Sequence, residues 1–172
     1  MLSGALGVAL VAGTIGMSAP GAAVAAEPAS LLASYDFSEA SGTVVHDVSG
    51  AGRDGTVVGG AAWRGGYMQF TGANHVQLPN NLLSGQSAAT IVIETSPTAL
   101  SGNKFLWNIG GSGDSSTGQF FIQPVAPRVA ISKTNWSGEQ SVTSVTKLVE
   151  GKWQSVAVAV SVTGVSTEGR VT

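Results

Sequence analysis

Tyr35-Asp36-Phe37-Ser38-Glu39, and the run His46-Asp47-Val48-Ser49-Gly50-Ala51-Gly52-Arg53-Asp54-Gly55-Thr56-Val57-Val58 that follows it, decide how this chain folds. In the first piece Tyr35 and Phe37 alternate with Asp36 and Ser38, the two-residue period of a strand with one face in a core. The second piece is so dense in Gly, Asp and Ser that its backbone must turn tightly and repeatedly before Thr56 resumes extended structure. Outward from here the same grammar repeats. Short apolar runs are separated by Gly, Ser, Asn and Pro, and no 3.6-residue periodicity appears after residue 27. The alternation predicts strands over residues 33–37, 56–58, 67–71, 75–77, 90–95, 104–109, 119–124, 128–133, 142–145 and 154–162, with another from Arg170. On the strand over 104–109, Phe105, Trp107 and Ile109 share one face, and Leu106 and Asn108 the other. Leu82-Leu83-Ser84-Gly85 reads as a turn or a single helical turn. The fold class is therefore all-β.

The N-terminus follows different rules. No charged side chain occurs in residues 1–26, residues 5–17 are rich in Ala, Gly and Val, and Ala23-Val24-Ala25 is a small-x-small cleavage signal. This reads as a secretory signal peptide over 1–26, outside the fold, although its first residues lack the usual Lys or Arg. The run is too short and glycine-rich to cross ~30 Å of hydrocarbon, so the mature chain is expected to be extracellular and free of the membrane. Residues 27–172 have the length of one domain. Only 10% of the chain is charged and the net charge is −2, so no basic stripe exists to neutralise phosphates and a nucleic-acid partner is excluded. Zero cysteines exclude disulfides, thiol catalysis and cysteine-ligated zinc.

The order Y-x-F-[DS]-E, then D-x-S-G-x-G-x-D-G-[TV], resembles the opening of a laminin-G-like (concanavalin A-like lectin/glucanase) module of secreted bacterial glycoside hydrolases. The likeness continues through residues 66–79, 105–131 and 151–160. It implies two antiparallel sheets packed as a jelly roll over residues 27–172, lacking the final strand or strands that the family carries beyond the position of Thr172. It implies further a non-catalytic carbohydrate-associated module of a plant-polysaccharide-degrading enzyme, arabinan being one such polymer, whose catalytic domain would follow C-terminally. A structural Ca2+ would fall at Asp36 and Asp47.

The residues themselves leave that metal open. Asp36, Glu39, Asp47 and Asp54 place four carboxylates within nineteen residues, as hard cations prefer. The same aspartates equally make Asx-turns with their own backbone. Gly50-Ala51-Gly52-Arg53-Asp54-Gly55 spells the dinucleotide pattern G-x-G-x-x-G without the strand before and helix after that the chemistry needs. For bond cleavage, Glu94 is the sole mid-strand carboxylate, with no acid two or four residues away to pair with it. His46 and His75 have no serine elbow to serve.

Sugar recognition needs a planar aromatic face beside amide and carboxylate groups. Trp153 and Trp107 read as core. Trp136, in the polar loop Lys133-Thr134-Asn135-Trp136-Ser137-Gly138, is the best candidate for an exposed ring, with Asn135, Lys133 and Arg128 as polar partners; Trp63, beside Arg64, suits either role. The loop over 110–118 reads as a rim connection of the kind that lines ligand sites. Function is thus expected to be attachment to polysaccharide, with a purely structural module and, more remotely, a glycosidase as alternatives.

Overall fold

The computed structural model describes residues 2–3, 8–12, 30–102, 104–110, 118–134, 138–161 and 164–170, with side chains described between 30 and 161. Among them there is no helix, and the strands pair antiparallel. In chain order the strands are β1 (Leu2–Ser3), β2 (Val8–Ala12), β3 (Ser30–Tyr35), β4 (Val44–Val45), β5 (Gly55–Val58), β6 (Gln69–Phe70) and β7 (His75–Gln77). They continue as β8 (Ala88–Thr95), β9 (Trp107–Gly110), β10 (Gln119–Gln123), β11 (Arg128–Ser132), β12 (Gln140–Thr143), β13 (Gln154–Ser161) and β14 (Gly164–Arg170). The order β14-β13-β8-β2-β3 makes a five-stranded sheet. A four-stranded sheet runs β12-β11-β10-β9, a three-stranded one runs β4-β5-β7, and β1 pairs with β6.

Register explains the core. Val156 opposes Ile93, and Val158 opposes Ile91, all four buried, while their chain neighbours Val92, Glu94, Ser155 and Ala157 face outward. Against this face lie Phe120, Ile122 and Val129 of the four-stranded sheet and Val45 and Val57 of the three-stranded sheet, in one apolar cluster with Tyr35, Phe37 and Met68. Each such aliphatic side chain contributes roughly 1.5–3 kcal/mol by leaving water. The result is an all-β sandwich. At one side β14 comes close to β12, so the edges of the two larger sheets meet there.

Two positions show how tightly the path is set. Phe37 has φ +52°, a left-handed conformation costly for an aromatic residue, yet its ring is fully buried and tilted against Trp63 at 6.4 Å between centroids. Burial of the ring offsets the strain and swings the chain out of β3. Gly59, at φ +80°, passes so close to Ala73 that a Cβ would stand 2.1 Å from its carbonyl oxygen.

Several sequence expectations shift. The strand expected over 33–37 starts earlier, at Ser30, and stops at Tyr35, because Phe37 turns left-handed. Phe105 does not share the face of Trp107. It precedes β9, is 41% exposed and meets Phe121 edge-on at 5.2 Å, whereas Trp107 meets Phe120 at 4.6 Å, and consecutive phenylalanines point to opposite faces. Trp153 is not core either. Inward positions of β13 are 154, 156 and 158, so Trp153 falls outside, 44% exposed and edge-on to Tyr67 at 5.8 Å. Gln154 takes the inner position instead. Its buried amide accepts from Val149 N (2.8 Å) and donates to Val149 O (2.8 Å) and Lys152 O (3.0 Å). The backbone of Val8–Ala12, within the segment read as a leader, is paired between β3 and β8. No helix among the described residues is long and apolar enough to cross a membrane.

Candidate functional site

Two polar regions emerge from the fold, and both contain residues singled out in the sequence. The first is the loop between β3 and β5. Asp47 Oδ1 accepts from Ser34 N (2.9 Å) and Ser49 N (2.9 Å), and its Oδ2 accepts from Arg53 N (3.0 Å). Val48 N in turn donates to Ser34 O at 2.8 Å. Asp47 and Val48 thus give Ser34 the acceptor and donor that a neighbouring strand would supply, and the outer margin of β3 is sealed there. Asp54 Oδ1 accepts from Asp47 N (2.8 Å), and the Tyr35 hydroxyl donates to Arg53 O (2.5 Å).

Electrostatics follow from this wiring. Burial disfavours the charge on Asp47, but the Ser49 hydroxyl and the amides of Ser34, Arg53 and Ser49 outweigh it and hold the carboxyl down to about 2. The Tyr35 phenol is pushed up to about 12, first by burial and then by the negative charges of Asp47 and Asp54, with Arg53 opposing. Asp36, the other residue given to calcium, is exposed and its Oδ1 accepts from Ser38 N at 3.1 Å, an Asx-turn. Among the described residues no three His, Asp or Glu side chains gather as a metal-ligating group. Beside the loop, Asp54, Thr56, Gln77, Leu78, Pro79 and Asn80 line a shallow depression of about 550 Å³ that has hydroxyl, amide and carboxylate groups but no aromatic ring in its lining.

The second region is the face of the four-stranded sheet turned away from the core. Cross-strand register puts Asn108, Phe121, Ala130 and Ser141 in one row across β9, β10, β11 and β12, and Gln123, Arg128 and Thr143 in the next. Phe121 and Ala130 are fully buried although they point away from the main apolar cluster. The Arg128 guanidinium sits 5.6 Å from the centre of the Phe121 ring, pairs with Glu139 through Nη2 and reaches Gln123 Oε1 through Nη1 at 3.5 Å. Its side chain keeps 32% of its surface in solvent. An arginine held over a ring and braced by a carboxylate presents a fixed, planar donor array. Phe105, edge-on to Phe121, and Asn108, the cross-strand partner of Phe121, are both exposed.

Of the residues expected to meet sugar, Arg128 lies on this face. Trp63 lies elsewhere, bridged to Met68, half-buried against Phe37, with its Nε1 donating to Gly42 O at 2.9 Å. Asn135 and Trp136 fall outside the described residues. Glu94 is exposed on the outer side of β8 and accepts from the Ser155 hydroxyl opposite it. The residues that sequence reasoning misses are Phe121, Gln123 and Glu139. A signal for the first two exists in the alternation Gln119, Phe121, Gln123 within Gln119-Phe120-Phe121-Ile122-Gln123, which marks a second, partly polar face. No family profile, curated protein or solved structure matches the chain.

Proposed function

We propose that this chain is a carbohydrate-associated, non-catalytic module of an exported glycoside hydrolase acting on plant polysaccharide, of the laminin-G-like kind and with jelly-roll topology. The observation that carries the reading is the outer face of β9–β12. There a partly exposed arginine is fixed over Phe121 by Glu139 and Gln123, and the same ring is met edge-on by an exposed Phe105 and has an exposed Asn108 as its cross-strand partner. That is the combination sugar hydroxyls and the apolar side of a pyranose or furanose require. Trp136 and Asn135 belong to the same proposal by sequence. Weak contacts suffice, because tethering a catalytic domain to its polymer raises local concentration. Affinity electrophoresis in arabinan, xylan and β-glucan tests it. Retardation by one polymer, lost in Arg128→Ala and Trp136→Ala, is the expected result, and unretarded migration in all three refutes it.

A second reading, a module that packs on a catalytic domain without touching sugar, is favoured by one observation. Trp153 and Tyr67 form an edge-on aromatic pair at the surface, with Trp153 44% exposed. The structural Ca2+ at Asp36 and Asp47 is carried by the resemblance, and melting with and without a chelator tests it: a Tm that chelation leaves unchanged argues against the metal.

A further inference from the structure

β2 is the most unusually placed strand of the larger sheet. It is antiparallel to both β3 and β8, so β3 and β8 run parallel to each other and, among the described residues, their facing edges are linked through it. Neighbouring strands lie ~4.8 Å apart, so withdrawing β2 leaves two rails roughly 10 Å apart with unpaired N–H and C=O groups facing each other. Neither rail can reach the other without the sheet contracting by a strand's width.

The occupant fits this place loosely. Among the described residues its partners on β8 are Thr90 to Ile93, within a strand that runs from Ala88 to Thr95. On the β3 side the register shifts between Leu10 and Val11: Leu10 opposes Ala33, Val11 opposes Leu31, and Leu32 is skipped. A strand of Val, Ala and Leu without polar alternation defines register weakly. Chemistry of the place is nonetheless well defined. Val8 opposes Tyr35 and Ile93, and Leu10 opposes Ala33 and Ile91, so every register partner of these two positions is a core residue. A charged segment there would lie beside the main apolar cluster.

We propose that the space between β3 and β8 is a strand-acceptor site for an extended, uncharged, aliphatic peptide segment, with Val8–Ala12 as its exchangeable occupant. The site adds a strand to both rails at once. Main-chain hydrogen bonds supply the affinity, and the absence of charge supplies the selectivity. It stands independently of the carbohydrate reading. It falls vacant in the processed protein if cleavage at Ala23-Val24-Ala25 removes the segment.

The test uses the full chain with a protease recognition sequence in place of residues 21–26. After folding and cutting, a fluorescent peptide of residues 6–14 is added in tenfold excess, and in parallel the cut chain is refolded from urea with that peptide present. Fluorescence anisotropy and Tm are read. The expected result is uptake of the peptide in antiparallel register by at least one route, a Tm within a few degrees of the uncut chain, and binding at least tenfold weaker for the Leu10→Pro peptide. Two results overturn the proposal. One is loss of the N-terminal piece with an unchanged Tm and no uptake. The other is precipitation on cutting that the peptide does not prevent.

Discussion

Asp47 and Arg128 are both charged groups at the margin of a sheet, and they are bound in opposite ways. Asp47 is surrounded by backbone amides. Both of its oxygens are engaged by N–H groups of its own loop and of β3, so its charge is spent on fixing chain geometry. The Arg128 guanidinium is held by the side chains of Glu139 and Gln123, and part of its fork stays in water. A charge tied to backbone builds structure. One tied to side chains over a ring can still be offered to a ligand. Alteration of the first should therefore register in stability, and alteration of the second in binding.

The largest expected effect is that of Asp47→Ala. It leaves the Ser34, Ser49 and Arg53 amides without their acceptor and unseals the margin of β3, for a loss of about 3 kcal/mol in urea unfolding. A loss under about 0.5 kcal/mol would abolish the contrast. Next is the pH dependence. Asp47 is depressed in the folded state to about 2 from 3.8, so its stabilisation is complete above pH 4 and disappears as pH falls from about 4 to 2. Partial exposure discounts this to about 1–2 kcal/mol. Asp47→Asn should flatten that acid limb in a Tm series.

Arg128→Ala is expected to weaken retardation by the retarding polymer about tenfold, near 1.4 kcal/mol, while shifting stability by less than about 1 kcal/mol. Equal losses in both measurements would make Arg128 a second Asp47. The smallest effect belongs to Tyr35. Its phenol is raised from 10 to about 12, so the contribution of the protonated hydroxyl is present below pH 10 and is lost as pH rises towards 12. Tyr35→Phe should remove that alkaline limb, at a cost of about 1 kcal/mol at neutral pH for the hydrogen bond to Arg53 O.

Much of the fold can be read from alternation. His75–Gln77 stands where the period of two puts it, and the strands expected at 90–95, 119–124, 128–133 and 154–162 differ from β8, β10, β11 and β13 by a residue or two at their ends. Ala88 and Ala89 fall outside the expected strand because alanine has little preference for extended structure, yet both are buried and pair with Ser161 and Val160 of β13. Val44–Val45 gives no signal because two residues cannot display a period. Val8–Ala12 is harder in kind: an uncharged aliphatic run of that length reads the same in a leader as in a strand paired at both edges.

The site is less legible. Arg128 is identifiable by type, but its ring and its carboxylate partner come from β10 and from the residue before β12, which only the register brings together. Trp153 is misplaced by parity alone. Placing Gln154 inward would send the indole out, but a glutamine is not an obvious tenant for a core.

That glutamine has a consequence for how β13 finds its place. A slip of one residue would expose the amide that clamps residues 149–152 and push Ser155, whose hydroxyl serves Glu94, into the apolar interior. Gln154 therefore acts as a phase marker for an otherwise repetitive Val-Ala-Val-Ala strand, penalising every odd displacement along a sequence whose aliphatic residues alone would scarcely distinguish one alignment from the next.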